Sequence, residues 1–277
     1  MARVLAISSQ VARGHVGLSA IVPALQRLGH EVTALPTILL SNHPGHAEAA
    51  GERVSPELLE RMLVVLEGSG WLGEIDAVLT GYLPSVEHVR FAGRAVERVR
   101  AHRRDARIVV DPVLGDAPKG LYIDAAAAAL IRDELAPLAH IVTPNAFELG
   151  WLTSAGVANA AQVQSAAALL AADCVLAKSV HAADGNLDNV LTQKGAAALA
   201  CTVQRQSDVP NGTGDLLGAL LLGHDLRLGS GHTGEAFALA LAGVQAAIAA
   251  SVSFDELQLA ASQDAWAQPT PLALRRL

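Results

Sequence analysis

Cysteine, aromatic side chains and positive charge are all scarce in this sequence, and each shortage excludes something. Only Cys174 and Cys201 occur. Two isolated cysteines make neither a disulfide framework nor a zinc-binding spacing, so a reducing, cytoplasmic setting is the expectation. Lys and Arg total 20 against 27 Asp and Glu, for a net charge of −7. That balance argues against binding to nucleic acid or to an anionic membrane, but leaves a nucleotide ligand open, because one local anion nest suffices for it. No Gly-x4-Gly-Lys-Ser/Thr loop is present, so any phosphate site has to be built another way. The N-terminus, Met1 to Ser8, turns polar too soon for a signal peptide. Residues 236–252 are strongly apolar but alanine-rich and interrupted by Gln245, which predicts a buried helix and not a membrane span. Aromatic residues make up 3% of the chain, so Tyr82, following Gly81, stands out as a side chain able to stack on a ring.

What is present is a globular chain, 51% hydrophobic over 277 residues, with no repeat and no compositional break. It reads as one domain, 1–277. Short apolar runs predict strands at Val4–Ser8, Val32–Pro36, Ala77–Thr80, Arg107–Asp111, Ile141–Thr143 and Val175–Lys178. Helical segments alternate with them: Val16–Leu28, a helix from Ser55-Pro56-Glu57 to about Gly68, Val86–Ala101, Ala125–Leu135, one capped by Asn145, and Asn159–Ala171. Val190–Thr192 and Ala197–Val203 flank Gln193-Lys194-Gly195 as a hairpin. Helices at Asp215–Leu226, Gly234–Ala250 and Phe254–Trp266 finish the chain, the last opened by the capping-box pattern Ser253-Phe254-Asp255-Glu256. The expected fold is α/β: a mainly parallel central sheet with helices on both faces, in three layers, binding its ligand beyond the carboxyl ends of the strands.

The segment Pro210-Asn211-Gly212-Thr213-Gly214-Asp215, followed by an apolar run, suits phosphoryl transfer. Glycines let backbone N–H groups approach an anion, and a helix N-terminus adds further free N–H groups and a favourable dipole. A carboxylate just beyond can take the proton of an attacking hydroxyl. The competing reading is a glycine turn with Asp215 as a helix-start residue. Thr143-Pro144-Asn145 with Glu148 offers oxygen groups of the kind that suit Mg²⁺, or simply a capped helix. Asp111-Pro112 ends a strand, and Lys178 ends another within reach of a phosphate or of solvent. Ser41-Asn42-His43-Pro44-Gly45-His46 has two histidines but no third ligand, so it reads better as a substrate loop than as a metal site.

Six motifs occur in the order and spacing of pyridoxal kinases: Val11 to Gly17, Ser41-Asn42-His43, Gly81-Tyr82-Leu83, Asp111-Pro112-Val113-Leu114-Gly115, Thr143-Pro144-Asn145 with Glu148, and Gly212-Thr213-Gly214-Asp215. The chain resembles that family, within the ribokinase-like superfamily, from about residue 3 to residue 268. The resemblance implies transfer of the ATP γ-phosphate to the 5′-hydroxyl of pyridoxal, pyridoxine or pyridoxamine. It implies Asp215 as base, the Gly212, Thr213 and Gly214 backbone as anion hole, and Asp111 and Glu148 as organisers of Mg²⁺ and the phosphates. It places Asn145, Lys178 and Thr213 at the nucleotide, and Ser9, Thr37, His43 and Tyr82 around the ring. It also implies a homodimer, and leaves a monovalent-cation requirement open. The departures cluster on the ring side: Gln10 for an expected His, Leu40 for Phe, His46 for Tyr, and a 47–52 segment without Trp or Cys. Two alternatives stand beside this reading: a hydroxymethylpyrimidine kinase of the thiamine pathway, and a non-catalytic vitamin-binding relative. The intact Asp215 and Glu148 speak against the latter.

Overall fold

A computed structural model describes all 277 residues. The strands are β1 (Arg3–Val11), β2 (Glu31–Leu40), β3 (Gly51–Arg53), β4 (Ala77–Thr80), β5 (Arg107–Val110), β6 (Gly115–Asp116), β7 (Gly120–Leu121), β8 (Ile141–Val142), β9 (Cys174–His181), β10 (Leu187–Gln193), β11 (Leu199–Val203) and β12 (Arg275–Arg276). The helices are α1 (Leu18–Arg27), α2 (Pro56–Gly68), α3 (Val86–His102), α4 (Ala125–Leu130), α5 (Ala146–Thr153), α6 (Ala160–Ala167), α7 (Thr213–Leu228), α8 (Thr233–Ala250) and α9 (Gln263–Ala267).

Ten strands form one sheet in the order β12-β11-β10-β9-β8-β5-β4-β1-β2-β3, and β6 and β7 make a separate hairpin. The central ladder from β2 to β9 is parallel, and the flanking strands are antiparallel. Alternation along the strands feeds two cores. Leu5 and Ile7 join the layer beneath α2 to α6, while Val4 and Ala6 join the layer of α1, α7, α8 and α9. The apolar helix α8 has the length and composition of a membrane span, but Phe237, Ala240, Leu241 and Val244 are buried in this second core. Cys174 and Cys201 are buried and unpaired, in β9 and β11.

The order of strands reverses at β1: the chain steps outward to β2 on one side, and through β4, β5, β8 and β9 on the other. In open α/β sheets the crevice at such a switch point is where ligands bind. Two ladder irregularities lie near it. Ser8 pairs with Pro36 and Gln10 with Leu39, so β2 carries an extra residue at Thr37–Ile38 opposite Ser9. On β9 the extra residue falls at Lys178–Ser179 opposite Asn189. Bulges of this kind re-aim side chains beside functional sites.

The expected helix Phe254–Trp266 is replaced by turns, and only α9 is helical there. Ser253 takes a left-handed φ of 71°, which breaks helical entry. Glu256 is buried and bonds His46 instead of returning to the Ser253 backbone. Helix α7 begins two residues earlier than its apolar run suggested, because Gly212 and not Asp215 is its N-cap.

Candidate active site

Helix α7 opens on Gly212 at φ 100°, a conformation that favours glycine. The His15 carbonyl occupies the space a Cβ would need there. The first intrahelical bond runs from the Leu216 N–H to the Gly212 carbonyl. The amides of Thr213, Gly214 and Asp215 therefore precede the hydrogen-bonded ladder and are placed to receive an anion. Asp215 sits in this first turn, half-buried, with Gly212 as the N-cap before it. Burial pushes its pKa up to about 6; the Gly17 amide and the Lys178 ammonium pull it down, and Asp111 pushes it up. A carboxylate poised near neutrality is suited to general-base work.

Lys178 and Asp111 meet across the sheet at 2.8 Å, both largely buried. Burial lowers the lysine pKa, but Asp111 and Glu148 more than offset this, so the ammonium stays charged. The ammonium nitrogen lies 3.3 Å from where a Cβ on Gly214 would sit, and Asp111 Oδ2 3.9 Å from it, so this charged pair borders the amide nest directly.

Glu148 does cap its helix. Its Oε2 accepts from the Asn145 N–H at 2.8 Å, and Asn145 Oδ1 accepts from the Glu148 N–H at 2.9 Å, a complete capping box. Its Oε1 also accepts from the Leu114 N–H at 2.8 Å. Asn145 Nδ2 donates to the Gly115 carbonyl at 2.8 Å. The pair thus clamps the turn after β5 onto the start of α5. Burial raises the Glu148 pKa against the pull of Lys178.

The opposite wall comes from β1, β2 and β4. Asp215 Oδ1 lies 3.8 Å from where a Cβ of Gly81 would be, so the Gly81-Tyr82 turn faces the carboxylate. Thr37 is fully buried and donates to the Tyr82 carbonyl at 2.8 Å, which puts it behind Tyr82, ordering the turn. Ser8, which the motif reading passed over, accepts from the Tyr82 N–H at 3.1 Å. The Ser9 hydroxyl lies against Gly17 at the start of α1, the residue whose amide bonds Asp215. Gln10 is engaged by Ser19 at 2.7 Å, so its amide is tied to α1. His43 lies in the loop after β2, where burial lowers its pKa and Nδ1 accepts from the Gly45 N–H at 3.0 Å. Gly17 and Gly81 were within quoted motifs, but nothing in their spacing showed which carboxylate they approach. Asn211 belongs to the Pro210–Asp215 segment and Glu256 to a capping-box pattern, and neither pattern signals a contact with the loop that carries His43.

The amide nest, the half-buried Asp215 beside it and the buried Lys178–Asp111 pair gather beyond the carboxyl ends of a mainly parallel sheet, an arrangement suited to a small-molecule kinase of the ribokinase-like class. A family model described as phosphomethylpyrimidine kinase matches residues 17–261. The chain is 35% identical over 276 residues to pyridoxal kinase PdxY of Leifsonia xyli subsp. xyli, covering 96% of each chain. It is also 35% identical to pyridoxal kinase PdxY of Deinococcus radiodurans, over 97% of this chain and 94% of that one. The solved structure of pyridoxal kinase from Leishmania donovani in complex with ADP and pyridoxamine superposes with a TM-score of 0.93 at 29% identity, covering 99% of both chains. The chain belongs to the pyridoxal kinase family.

Proposed function

We propose that the protein is an ATP-dependent kinase of vitamin B6 salvage, phosphorylating the 5′-hydroxyl of pyridoxal, pyridoxine or pyridoxamine. The observation that carries the chemistry is Asp215: a carboxylate with its pKa raised to about 6, in the first turn of a helix whose leading amides are free. Asp215 takes the hydroxyl proton as that oxygen attacks the γ-phosphorus. The bond from γ-phosphorus to the β–γ bridging oxygen breaks, and ADP leaves. The Thr213, Gly214 and Asp215 amides hold the transferring group, and Lys178 offsets charge on the phosphates. Tyr82 and His43 border the ring, with Thr37 and Ser8 ordering the Tyr82 turn.

Mg²⁺ fits the donors present. Asp111 uses Oδ1 for Lys178 and leaves Oδ2 without a protein hydrogen bond, facing α7. Magnesium takes few protein ligands and the rest from phosphate and water. Asp111 would hold it, with Glu148 behind through water, and it would neutralise charge on the β- and γ-phosphates. A homodimer in the cytoplasm is part of the same proposal, supported by the family resemblance.

The family model's description favours one second reading, a hydroxymethylpyrimidine kinase. A panel of the three B6 vitamers and hydroxymethylpyrimidine with ATP separates the two. The B6 reading predicts the highest kcat/KM for a B6 vitamer; a higher value for hydroxymethylpyrimidine overturns it.

A further inference from the structure

The segment that failed to form its expected capping box contains a buried carboxylate with another task. Glu256 is 7% exposed, yet lies in a turn far from the catalytic elements in sequence. Its carboxylate lies against the Cα of Gly14, at φ 95°, in the space a Cβ there would require. Its Oε1 is 3.0 Å from His46 Nε2. His46 stands in the loop 41–50, the loop that also carries His43.

That loop is stiff inside and fastened at its base. The Ser41 N–H donates to the Ala50 carbonyl at 2.7 Å, and Asn42 Nδ2 donates to the Glu48 carbonyl at 2.8 Å. The Ala12 and Arg13 amides donate to the Leu40 and Ser41 carbonyls at 2.8 and 2.9 Å. The tip has fewer restraints. Asn211 Nδ2 lies 3.3 Å from where a Cβ of Gly45 would sit, so the tip reaches over the strand of residues that leads into the anion nest. The side-chain hydrogen bond joining the tip to the 251–260 segment is His46 to Glu256. Beside it, the exposed Arg13–Asp255 pair at 3.4 Å ties the same turn to the 12–14 segment.

We propose that Glu256 is a positioning residue for the acceptor side: seated on Gly14, it holds His46, and through His46 keeps the 41–50 loop across the cleft with His43 turned to the acceptor. The kinetic part of the proposal rests on the B6-kinase reading; the contact itself does not. The expected pattern is a vitamer-specific one. Glu256→Ala raises KM for pyridoxal about 2- to 150-fold, the range for coupled residues in contact, while KM for ATP is unchanged. Glu256→Gln, whose amide oxygen can still accept from His46, recovers most of that rise. Adding His46→Ala to Glu256→Ala raises KM no further. A fall in Tm with both KM values unchanged would show a merely structural anchor and overturns the proposal, as do additive effects of the two substitutions. Hydrogen exchange on the ligand-free protein judges the contact without any turnover. Glu256→Ala should speed exchange in 41–50 and leave β9 and α5 as in the wild type. Unchanged loop exchange overturns the proposal, and absence of B6 turnover in the wild type overturns only the functional reading.

Discussion

The two walls of the cleft are held by different means. On the phosphate wall, side chains are buried and multiply bonded: Lys178 pairs with Asp111 at 2.8 Å, and Glu148 ties the Asn145 and Leu114 amides together. On the ring wall, the restraints are backbone bonds, single hydroxyls such as Thr37 and Ser8, and a loop pinned through His46. Moving a group on the first wall strands a buried charge; moving one on the second loses a single uncharged hydrogen bond. Gln10, Leu40 and His46, the residues read in the sequence as departures from the resemblance, all belong to the ring wall.

The comparison breaks most sharply at Asp215. Asp215→Asn should lower kcat about 10²–10⁴-fold, the usual contribution of a general base, with ATP affinity retained in a binding titration. Near wild-type turnover would remove Asp215 from the base role. Lys178→Met tests the charge network next. Leaving Asp111 without its partner in a buried site should cost roughly 3–5 kcal/mol of stability, read from chemical denaturation. A loss under about 1 kcal/mol would mean that the pair is solvated, on the scale of exposed ion pairs.

Glu148→Ala should cost about 1–3 kcal/mol, because buried amides at Leu114 and Asn145 lose their acceptor. It should also raise the Mg²⁺ concentration needed for half-maximal activity. Lower stability with an unchanged Mg²⁺ curve would confine Glu148 to the capping box. The raised pKa of Asp215 has a signed consequence. Its folded value of about 6 exceeds the ordinary aspartate value of 3.8. The stability it lends is therefore complete below pH ~4 and is lost as pH rises through about 6. Activity follows the opposite course, rising through the same window as the base ionises. Asp215→Asn should thus gain stability over wild type on going from pH 4 to pH 7, on the order of 1–3 kcal/mol for a shift of this size. A pH-independent difference would show that the group titrates normally.

The smallest effect belongs to the ring wall. Tyr82→Ala should raise KM for pyridoxal about threefold to tenfold, the worth of roughly 0.5–1.5 kcal/mol of aromatic contact, and change KM for ATP less. If neither moves, the ring binds away from Tyr82. If Tyr82→Ala costs as much folding stability in chemical denaturation as Lys178→Met, the two walls are equally rigid.

Much of this was legible in the residues themselves, because its causes are local. Period-two and period-3.6 patterns place strands and helices, Ser55-Pro56 and Asn145 mark helix starts by side-chain hydrogen bonds to nearby amides, and six short motifs carry the family resemblance in order. Tertiary structure decided what depends on partners far away in the chain. Gly212 caps α7 where the His15 carbonyl packs against it, which no pattern near residue 212 announces. Ser253 to Glu256 has the letters of a capping box, but a histidine 210 residues away claims the glutamate. Asp111 and Lys178 are 67 residues apart and become one buried ion pair only because β5, β8 and β9 lie side by side. Local hydrogen bonds and periodicity are written in neighbouring residues. Contacts made across the sheet depend on strand order and register, and those emerge only when the whole core packs.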